Sequence, residues 1–296
     1  MPKNYQVPLR YSQNFVKSPA LIDFLIEKVN INKEDLVYDI GAGKGIITKS
    51  LIQHAKKIIA IEKDRLLADD LKKLLNTYPN LQVLNQDFLK SNLPNEGDYK
   101  VFSNIPFSIS SEIIKKLCFD KNPPSYTYLF LQKEVALKIQ GHPFGKETQT
   151  SLLLKPFFEI KSIYKFSRED FTPMPSVEIF LVEFKKIKSK IELQYKELYR
   201  KFIVYALNQW KPNLKLSLKK LFSHIQLKII SNDLKFDLEA KPTDLSFDQW
   251  LNIFYKYLEI VPKYKDKLLD TSDEKMNNSH LKMRKNNLQT SETKII

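Results

Sequence analysis

Through the first two thirds of the chain, short apolar segments typical of strands alternate with segments that have the apolar spacing of helices. Apolar-rich runs typical of buried strands lie at positions 36–38, 57–61, 81–84, 99–103, 126–131, 160–166 and 177–184. Stretches with helical spacing separate most of them, at 46–57, 65–75, 111–119 and 133–140. This alternation predicts an α/β fold in which helices flank a largely parallel sheet. The last two strands have a short connection, so we expect them to pair antiparallel.

The strand pattern stops at a charge run over positions 185–190, and helical spacing takes over. Residues 191–260 predict a helical bundle. Its candidate core positions are Leu193, Leu198, Phe202, Ile203, Leu207, Trp210, Leu218, Leu221, Phe222, Trp250, Phe254 and Leu258. Beyond Pro262 the chain is polar and poor in aromatic residues, which predicts a disordered tail. The predicted domains are an α/β domain over 1–186, a small all-helical domain over 187–263 and a tail over 264–296.

The charge balance narrows the class of partner. The chain has 296 residues and a formal net charge of +14, which favours a polyanion, either nucleic acid or an anionic membrane surface. The N-terminus lacks the apolar segment of a secretion signal, and no apolar stretch is long enough to span a bilayer, so we expect no membrane partner. The single cysteine, Cys118, fits a small core residue in a reducing cytoplasm. The four histidines show no ligand spacing, and no metal is predicted.

Basic residues concentrate in two places. The segment from Met1 to Lys17 contains Lys3, Arg10 and Lys17 and no acid, and Ser18-Pro19 after it fits the start of a helix. Between Lys196 and Lys228 the chain has eight lysine or arginine residues and one acid. Such runs are often only solvated surface, yet this asymmetry favours phosphate contacts. The candidate nucleic-acid-binding residues are Lys3, Arg10, Lys17, Lys215, Lys219 and Lys220.

A glycine-rich loop, Asp39-Ile40-Gly41-Ala42-Gly43-Lys44-Gly45, follows the first predicted strand and precedes a helix. Glycines there let a ligand approach the main chain, and the helix start offers free N–H groups. The next strand ends at Glu62, the usual place for an acid that binds two ribose hydroxyls. The pattern predicts a nucleotide-like cofactor, although the glycine spacing is not that of dinucleotide-binding enzymes. The alternative is that the glycines only form a tight turn between strand and helix.

A second motif, Asn104-Ile105-Pro106-Phe107, follows a later strand, so it should project from the same edge of the sheet. The Asn104 amide oxygen and the Ile105 carbonyl, beside a proline that has no N–H, can both accept hydrogen bonds. With an aromatic ring next to them, these acceptors suit an exocyclic amine on a flat base. The alternative is an ordinary turn with a buried phenylalanine.

Together these motifs resemble the Erm family of 23S ribosomal RNA adenine-N6 methyltransferases, and the resemblance covers nearly the whole chain. The further matching segments are Tyr11-Ser12-Gln13-Asn14-Phe15, Ile61-Glu62-Lys63-Asp64, Asn85-Gln86-Asp87-Phe88, Phe171-Thr172-Pro173-Met174-Pro175-Ser176-Val177 and Leu245-Ser246-Phe247-Asp248-Gln249-Trp250-Leu251. The sister family, which dimethylates small-subunit RNA, usually has Gly-Pro-Gly and Asn-Leu-Pro-Tyr at the two motifs. Phe107 stands where many members have tyrosine, so a role for a phenol hydroxyl is in doubt.

The resemblance implies a Rossmann-like class I methyltransferase domain with a mostly parallel seven-stranded sheet and S-adenosylmethionine as cofactor. The implied cofactor-binding residues are Asn14, Val16, Gly41, Gly43, Glu62, Asp87 and Asn104. Asp87 would accept from the cofactor's adenine amine, unless it merely caps a turn. The implied catalytic residues are Asn104, Ile105, Phe107 and Phe171. Phe171 would stack on the target base opposite Phe107, and its alternative is a core residue that pins a proline-rich loop.

The reaction that these residues suit is direct displacement. Adenine N6 is a poor nucleophile, and acceptors on its two N–H bonds would make its lone pair more available without a strong base. The resemblance further implies a cytoplasmic, monomeric methyltransferase that acts on 23S RNA or its precursor particle and confers macrolide, lincosamide and streptogramin B resistance. A 16S RNA dimethyltransferase and a non-catalytic nucleic-acid binding factor of the same fold are the alternatives. A nicotinamide dehydrogenase is disfavoured by the glycine spacing.

Overall fold

The structure is a computed structural model, and it describes residues 14–142, 145–208 and 211–270. The strands in this part of the chain are β1 (Phe15–Val16), β2 (Leu36–Ile40), β3 (Lys57–Glu62), β4 (Leu81–Asn85), β5 (Lys100–Ser103), β6 (Tyr126–Gln132), β7 (Phe158–Lys165), β8 (Phe171–Thr172) and β9 (Ile179–Lys186). The α-helices of the first two thirds are α1 (Pro19–Lys28), α2 (Ile46–His54), α3 (Arg65–Lys72), α4 (Ser110–Phe119), α5 (Lys133–Gln140) and α6 (Gln149–Leu154).

Seven of these strands form one sheet in the order β4-β3-β2-β5-β6-β9-β7. The pairs from β4 through β6 are parallel, and β9 pairs antiparallel with both β6 and β7. The predicted α/β fold and the predicted antiparallel pairing of the last two strands are therefore confirmed. The short pair of β1 with β8 has no counterpart in the predicted strands. It joins segments about 155 residues apart, and two-residue strands leave no periodic signal.

The central strands are mostly apolar, as expected for parallel strands that are buried within an α/β domain. Val37, Ile58 and Val101 are fully buried, as is the aromatic cluster of Phe102, Tyr128 and Phe130. Cys118 on α4 is buried and unpaired, and burial raises the pKa of its thiol. It is the small core residue that the sequence predicts.

Helix α1 begins where the sequence places it. The Ser18 hydroxyl accepts a hydrogen bond from the Leu21 amide, and Pro19 is the first helical residue, where its missing N–H costs nothing. Helices α2 and α3 end earlier than predicted, at His54 and Lys72, because β3 begins at Lys57 and a turn follows α3.

The described part of the chain divides into two compact units, one of residues up to 137 with 157–188 and the other of residues 138–156 with those from 189 to 270. The end of the first unit at 188 is close to the predicted boundary at 186. The prediction is wrong for residues 138–156, which it assigns to the α/β domain. This segment includes α6, and Leu152 of that helix belongs to the core of the second unit.

The second unit is helical, as predicted. It contains α7 (Lys196–Leu207), α8 (Leu214–Leu218), α9 (His224–Leu234) and α10 (Phe247–Ile260) besides α6. Phe202, Trp250, Phe254 and Tyr257 form its aromatic centre. Most predicted core positions are buried or pack against that core. Leu193 is an exception at 79% exposed, and Trp210 lies outside the described residues.

The predicted tail begins too early. Leu269 is fully buried in the core of the helical unit, and Lys201 pairs with Asp270 at 2.7 Å. Residues 264–270 therefore belong to this unit, and the sequence pattern misses them because their two leucines stand among lysines. Residues 271–296 lie outside the described part of the chain. Within the described residues, no helix has the length and apolar character needed to cross a bilayer, and no group of potential ligands is arranged for a metal ion.

Candidate active site

The predicted site motifs meet at one edge of the sheet because their strands run parallel. In the register, Asp39 and Ile40 of β2 lie beside Ala60 and Ile61 of β3. Strand β5, which leads into Asn104, pairs with the other side of β2. The glycine loop, Glu62 and the Asn104 motif thus follow the carboxyl ends of three adjacent strands, where open α/β sheets bind ligands.

All three glycines of the loop adopt left-handed conformations, with φ of +70° at Gly41, +57° at Gly43 and +78° at Gly45. A Cβ at Gly43 would lie 2.8 Å from Cε1 of Phe15, and one at Gly41 would lie 3.3 Å from Cδ of Pro106. The glycines therefore do form a tight turn, and they also admit the close approach of Phe15 and Pro106 on either side. Side chains at these two positions would separate the loop from both neighbours.

Glu62 ties the glycine loop to the end of β3. It is 4% exposed, and its two carboxylate oxygens accept hydrogen bonds of 2.8 Å from the main-chain amides of Gly43 and Asp64. Each carboxylate oxygen has two acceptor positions. One position on each oxygen thus remains for a ligand with a pair of hydroxyl groups.

Asp87 caps the turn that follows β4. One carboxylate oxygen accepts from the Leu89 amide at 3.0 Å, and the other pairs with Nζ of Lys63 at 3.0 Å. The hydrogen bond from Lys63 holds the pKa of Asp87 below its ordinary value. The capping role foreseen as an alternative is present, and the same side chain also lines a cavity with Glu62.

That larger cavity has a volume of about 370 Å³. Glu62, Asp64 and Asp87 supply its carboxylates, and Leu67, Phe88 and Ile113 supply apolar walls. A pocket with flat apolar walls and a few acceptors at its rim suits a nucleoside. Gly41 and Pro106 border both this cavity and a smaller one of about 60 Å³.

The smaller cavity contains the acceptor motif. Its lining includes Asn14, Val16, Asp39, Asn104, Ile105 and Phe107. The structure therefore brings together the N-terminal segment, the glycine loop and the Asn104 motif, which the sequence separates by up to ninety residues. Among the other predicted site residues, Glu62 and Asp87 line the larger cavity, and the Gly43 amide donates to Glu62. Phe171 lines neither cavity.

Asn104 is fixed by a chain of two hydrogen bonds. Its Nδ2 donates to the Asn14 carbonyl at 2.7 Å, and Nδ2 of Asn14 donates to the Pro173 carbonyl at 2.7 Å. The pairing of β1 with β8 holds the same two segments side by side. With its nitrogen bound, the Asn104 amide presents Oδ1 as an acceptor, and no described residue donates to that oxygen or to the Ile105 carbonyl.

The two phenylalanines differ in exposure. Phe107 is half-buried and lines the smaller cavity. Phe171 is 2% exposed and packs edge-on against Phe166, with the ring centroids 5.3 Å apart. The structure places the Phe171 ring inside the core, so stacking of this ring on a target base stays a prediction that the present geometry does not support. The alternative, a core residue that pins the proline-rich loop, fits.

Asp39 is a site residue that the sequence motifs do not identify. It is 1% exposed, and the Thr48 hydroxyl donates to its carboxylate at 2.7 Å. Burial raises the pKa of Asp39 to about 7, against the opposing effect of the Thr48 hydrogen bond and with some help from the charge of Glu62. A polar residue inside an apolar strand, just before the glycines, is the signal that could have identified it.

Phe15 and Lys44 also line the smaller cavity without having been predicted as site residues. Nζ of the exposed Lys44 lies 5.3 Å from the centroid of the Phe15 ring. This contact places a positive charge at the mouth of the cavity that contains Asn104. The sequence pattern does not reveal this contact, because a lysine in a glycine loop can equally be an ordinary solvent-exposed residue.

The predicted RNA-binding residues lie on both units. Lys17 is exposed beside β1, and Lys215, Lys219 and Lys220 are exposed on and after α8. Lys215 is 3.8 Å from a carboxylate oxygen of Glu239. Lys3 and Arg10 lie outside the described residues.

Comparison with known proteins identifies the family. A family model for ribosomal RNA adenine dimethylase matches residues 5–259. An rRNA adenine N-6-methyltransferase of Bacteroides fragilis is 34% identical over 262 residues, which cover 87% of this chain and 96% of that protein. A ribosomal RNA small subunit methyltransferase A of Thermotoga petrophila is 32% identical over 259 residues, 86% of this chain and 94% of that protein.

A solved structure has the same fold. The 23S rRNA methyltransferase ErmE superposes with a TM-score of 0.74 at 24% identity, covering 82% of this chain and 99% of that one. A dimethyladenosine transferase from Plasmodium falciparum superposes with a TM-score of 0.65 at 22% identity, over 82% of this chain and 98% of that one. Matched by the family model and by relatives along most of its length, the chain belongs to the ribosomal RNA adenine dimethylase family.

Proposed function

We propose that this protein transfers methyl groups from S-adenosylmethionine to N6 of one adenine in the peptidyl-transferase loop of 23S ribosomal RNA. The observation that carries the proposal is the orientation of Asn104. Its amide nitrogen is bound to the Asn14 carbonyl, so its oxygen is presented at the edge of the sheet where the glycine loop and Glu62 lie. An acceptor held in this way suits an amine substrate.

The residues of the larger cavity fit the nucleoside of the cofactor. The free acceptor positions on Glu62 match a pair of ribose hydroxyls, and Asp87 offers acceptors for an adenine amine. Phe88 and Ile113 supply apolar surface for the base. Gly41 borders both cavities, so a ligand that passes it reaches Asn104. When bound, S-adenosylmethionine supplies a methyl group on a positively charged sulfur.

The chain itself contributes orientation more than acid–base chemistry. Oδ1 of Asn104 and the carbonyl of Ile105 would each accept one N–H of the adenine amine, which directs its lone pair away from the ring. Phe107 would stack on the face of the base. Proximity of this kind supplies a large part of the rate in such reactions, and the surplus proton leaves to water.

The motif variants support a 23S substrate over a 16S substrate. Gly-Ala-Gly-Lys-Gly at 41–45 and Asn-Ile-Pro-Phe at 104–107 resemble the Erm pattern more than that of the small-subunit enzymes. Relatives named for general rRNA adenine methylation and for the small subunit have similar identities, 34% and 32%, so identity alone does not separate the two substrates. We propose that the protein acts as a cytoplasmic monomer and that its product confers macrolide, lincosamide and streptogramin B resistance.

The experiment is transfer of radiolabelled methyl to protein-free 23S RNA and, separately, to 16S RNA, followed by mapping of the labelled base. Label on a single adenine of the 23S peptidyl-transferase loop supports the proposal. Label on adjacent adenines of 16S RNA instead would assign the protein to the small-subunit reaction. Absence of label on both, with S-adenosylmethionine bound, would favour the non-catalytic binding factor or a precursor particle as the substrate.

A further inference from the structure

Lys116 on α4 makes an unusual set of contacts at the back of the larger cavity. Its ammonium group donates to the carbonyl of Phe88 at 2.7 Å, to that of Leu89 at 3.1 Å and to that of Ser91. An ammonium group has three donors, and all three are used on one turn of main chain. Nζ also lies 5.0 Å from the centroid of the Phe88 ring.

The turn that Lys116 binds forms part of the wall of the larger cavity. It is a single 3₁₀ turn, Phe88–Lys90, and Asp87 caps its start through the Leu89 amide. The Phe88 carbonyl also accepts from the Ser91 amide at 3.1 Å and from the Ser91 hydroxyl at 2.7 Å, and the Lys116 ammonium offsets the partial negative charge of the carbonyls at this end of the turn. Asp87 thus holds one end of the turn, and Lys116 together with Ser91 holds the other.

The arrangement is built at some energetic cost. Burial lowers the pKa of the Lys116 ammonium, and the charges of Asp120 and Asp87 oppose that effect. Ile113, one turn earlier on α4, lines the cavity together with Asp87, Phe88 and Leu89. Lys116 itself is not among the residues that line the cavity. It therefore acts on a ligand through the turn.

We infer that Lys116 is a positioning residue for the cofactor's nucleoside, which it affects by fixing the turn that contains Asp87 and Phe88. The inference rests on the proposed function, because it takes the larger cavity as the nucleoside site. Without the three hydrogen bonds, the turn samples positions in which Asp87 and Phe88 no longer meet the base together. Lys116 then determines cofactor affinity and leaves the transfer step itself unchanged.

The test is the Lys116→Met variant of the full chain, compared with Lys115→Met. Lys115 precedes it on α4, is exposed and provides the same chemical change outside the turn. Dissociation constants for S-adenosylhomocysteine and for adenosine are measured by calorimetry, and kcat and KM by methyl transfer to RNA. We expect Lys116→Met to weaken both ligands by about tenfold, to raise the KM for S-adenosylmethionine equally and to change kcat less than about twofold.

The Lys116→Gln variant guards against a folding defect. Its side-chain amide keeps two of the three donors, so we expect a smaller loss of affinity at near-normal thermal stability. Wild-type affinity for both ligands in a folded Lys116→Met or Lys116→Gln protein would overturn the inference while leaving the proposed function intact. An equal loss in Lys115→Met would overturn it as well. If the wild-type protein binds no S-adenosylhomocysteine, the proposed function fails together with the inference.

Discussion

The side-chain amide of Asn104 donates a 2.7 Å hydrogen bond to the main-chain carbonyl of Asn14, which lies 90 residues earlier in the chain. This bond decides which atom of the amide is offered to a substrate. It also makes the N-terminal segment part of the site, since Asn14 is in turn bound to Pro173. The acceptor geometry therefore depends on contacts between three separate segments.

The first prediction concerns this amide. We expect Asn104→Ala to lower methyl transfer by at least about 100-fold, because the amine loses an acceptor and its orientation. Asn104→Asp should be inactive too, since its carboxylate would face the Asn14 carbonyl without a donor between them. Affinity for S-adenosylmethionine should stay within a few fold in both variants. Single-turnover transfer and calorimetry measure the two quantities, and full activity in Asn104→Ala would refute the mechanism.

The second prediction separates Phe107 from Phe171. Phe107→Ala should lose transfer activity in a stable protein, and Phe107→Tyr should retain it because either ring can stack. Phe171→Ala should instead lower the free energy of unfolding by about 3–5 kcal/mol, since a fully buried ring is removed. Denaturant unfolding and transfer assays on the three variants test this. A Phe171→Ala protein of normal stability with no activity would restore the stacking role of Phe171.

The third prediction concerns Lys44 at the mouth of the smaller cavity. A target nucleotide bound there would bring its phosphate close to this exposed charge, so Lys44→Gln should weaken RNA binding and reduce the slope of log affinity against log salt by about 1. Lys49→Gln, an exposed lysine on α2, is the matched control and should change neither quantity. Unaltered RNA affinity in Lys44→Gln would remove Lys44 from the RNA path.

The sequence predicts the chemical groups of the site better than the contacts that hold those groups in place. The glycine loop, Glu62 and Asn104 are predictable because each follows a strand in a pattern that the parallel sheet then brings to one edge. The bond between Asn104 and Asn14 is not predictable, because it joins distant segments through a main-chain carbonyl that any residue type has. The three bonds of Lys116 to carbonyls escape sequence reading for the same reason.

Burial is the other quantity that local patterns misjudge. Phe171 sits in a polar, proline-rich segment that looks like a surface loop, yet β8 pairs with β1 and turns the ring into the core. Leu269 follows a lysine-rich stretch and still packs in the helical unit. In both cases the apolar surroundings come from parts of the chain far away in sequence, so no local window contains the information.

The fourth prediction is a pH dependence of stability set by Asp39. Its pKa in the folded protein is about 7, above the ordinary 3.8, so the folded state binds this proton more tightly than the unfolded state. The contribution of Asp39 to the free energy of unfolding is therefore greatest below about pH 4 and is lost as the pH rises to about 7. Asp39→Asn removes this loss and keeps an acceptor for the Thr48 hydroxyl.

We thus expect the stability of Asp39→Asn relative to wild type to increase between pH 4 and pH 8, by at most on the order of 4 kcal/mol. Denaturant unfolding without cofactor at several pH values measures it. Thr48→Val provides the opposite change, because it removes the hydrogen bond that lowers the pKa of Asp39. A stability difference between wild type and Asp39→Asn that does not vary with pH would contradict the raised pKa.

The last prediction tests whether the helical unit binds RNA. Replacing Lys215, Lys219 and Lys220 together with glutamine should weaken RNA binding and flatten its salt dependence, with the slope reduced by about 2 to 3 if all three contact phosphate. Lys215 already lies near Glu239, so it should contribute least when changed alone. We expect this triple variant to keep wild-type affinity for S-adenosylmethionine, because the larger cavity is lined by residues of the first unit.

The control for this triple variant changes the net charge by the same amount elsewhere. Lys56, Lys72 and Lys73 of the first unit each pair with a carboxylate, and their joint replacement with glutamine should leave the salt slope nearly unchanged. Equal losses in the two triple variants would mean that only net charge matters. An unaltered slope in the Lys215, Lys219 and Lys220 variant would mean that the RNA contacts lie in the first unit, where Lys17 and Lys44 are exposed.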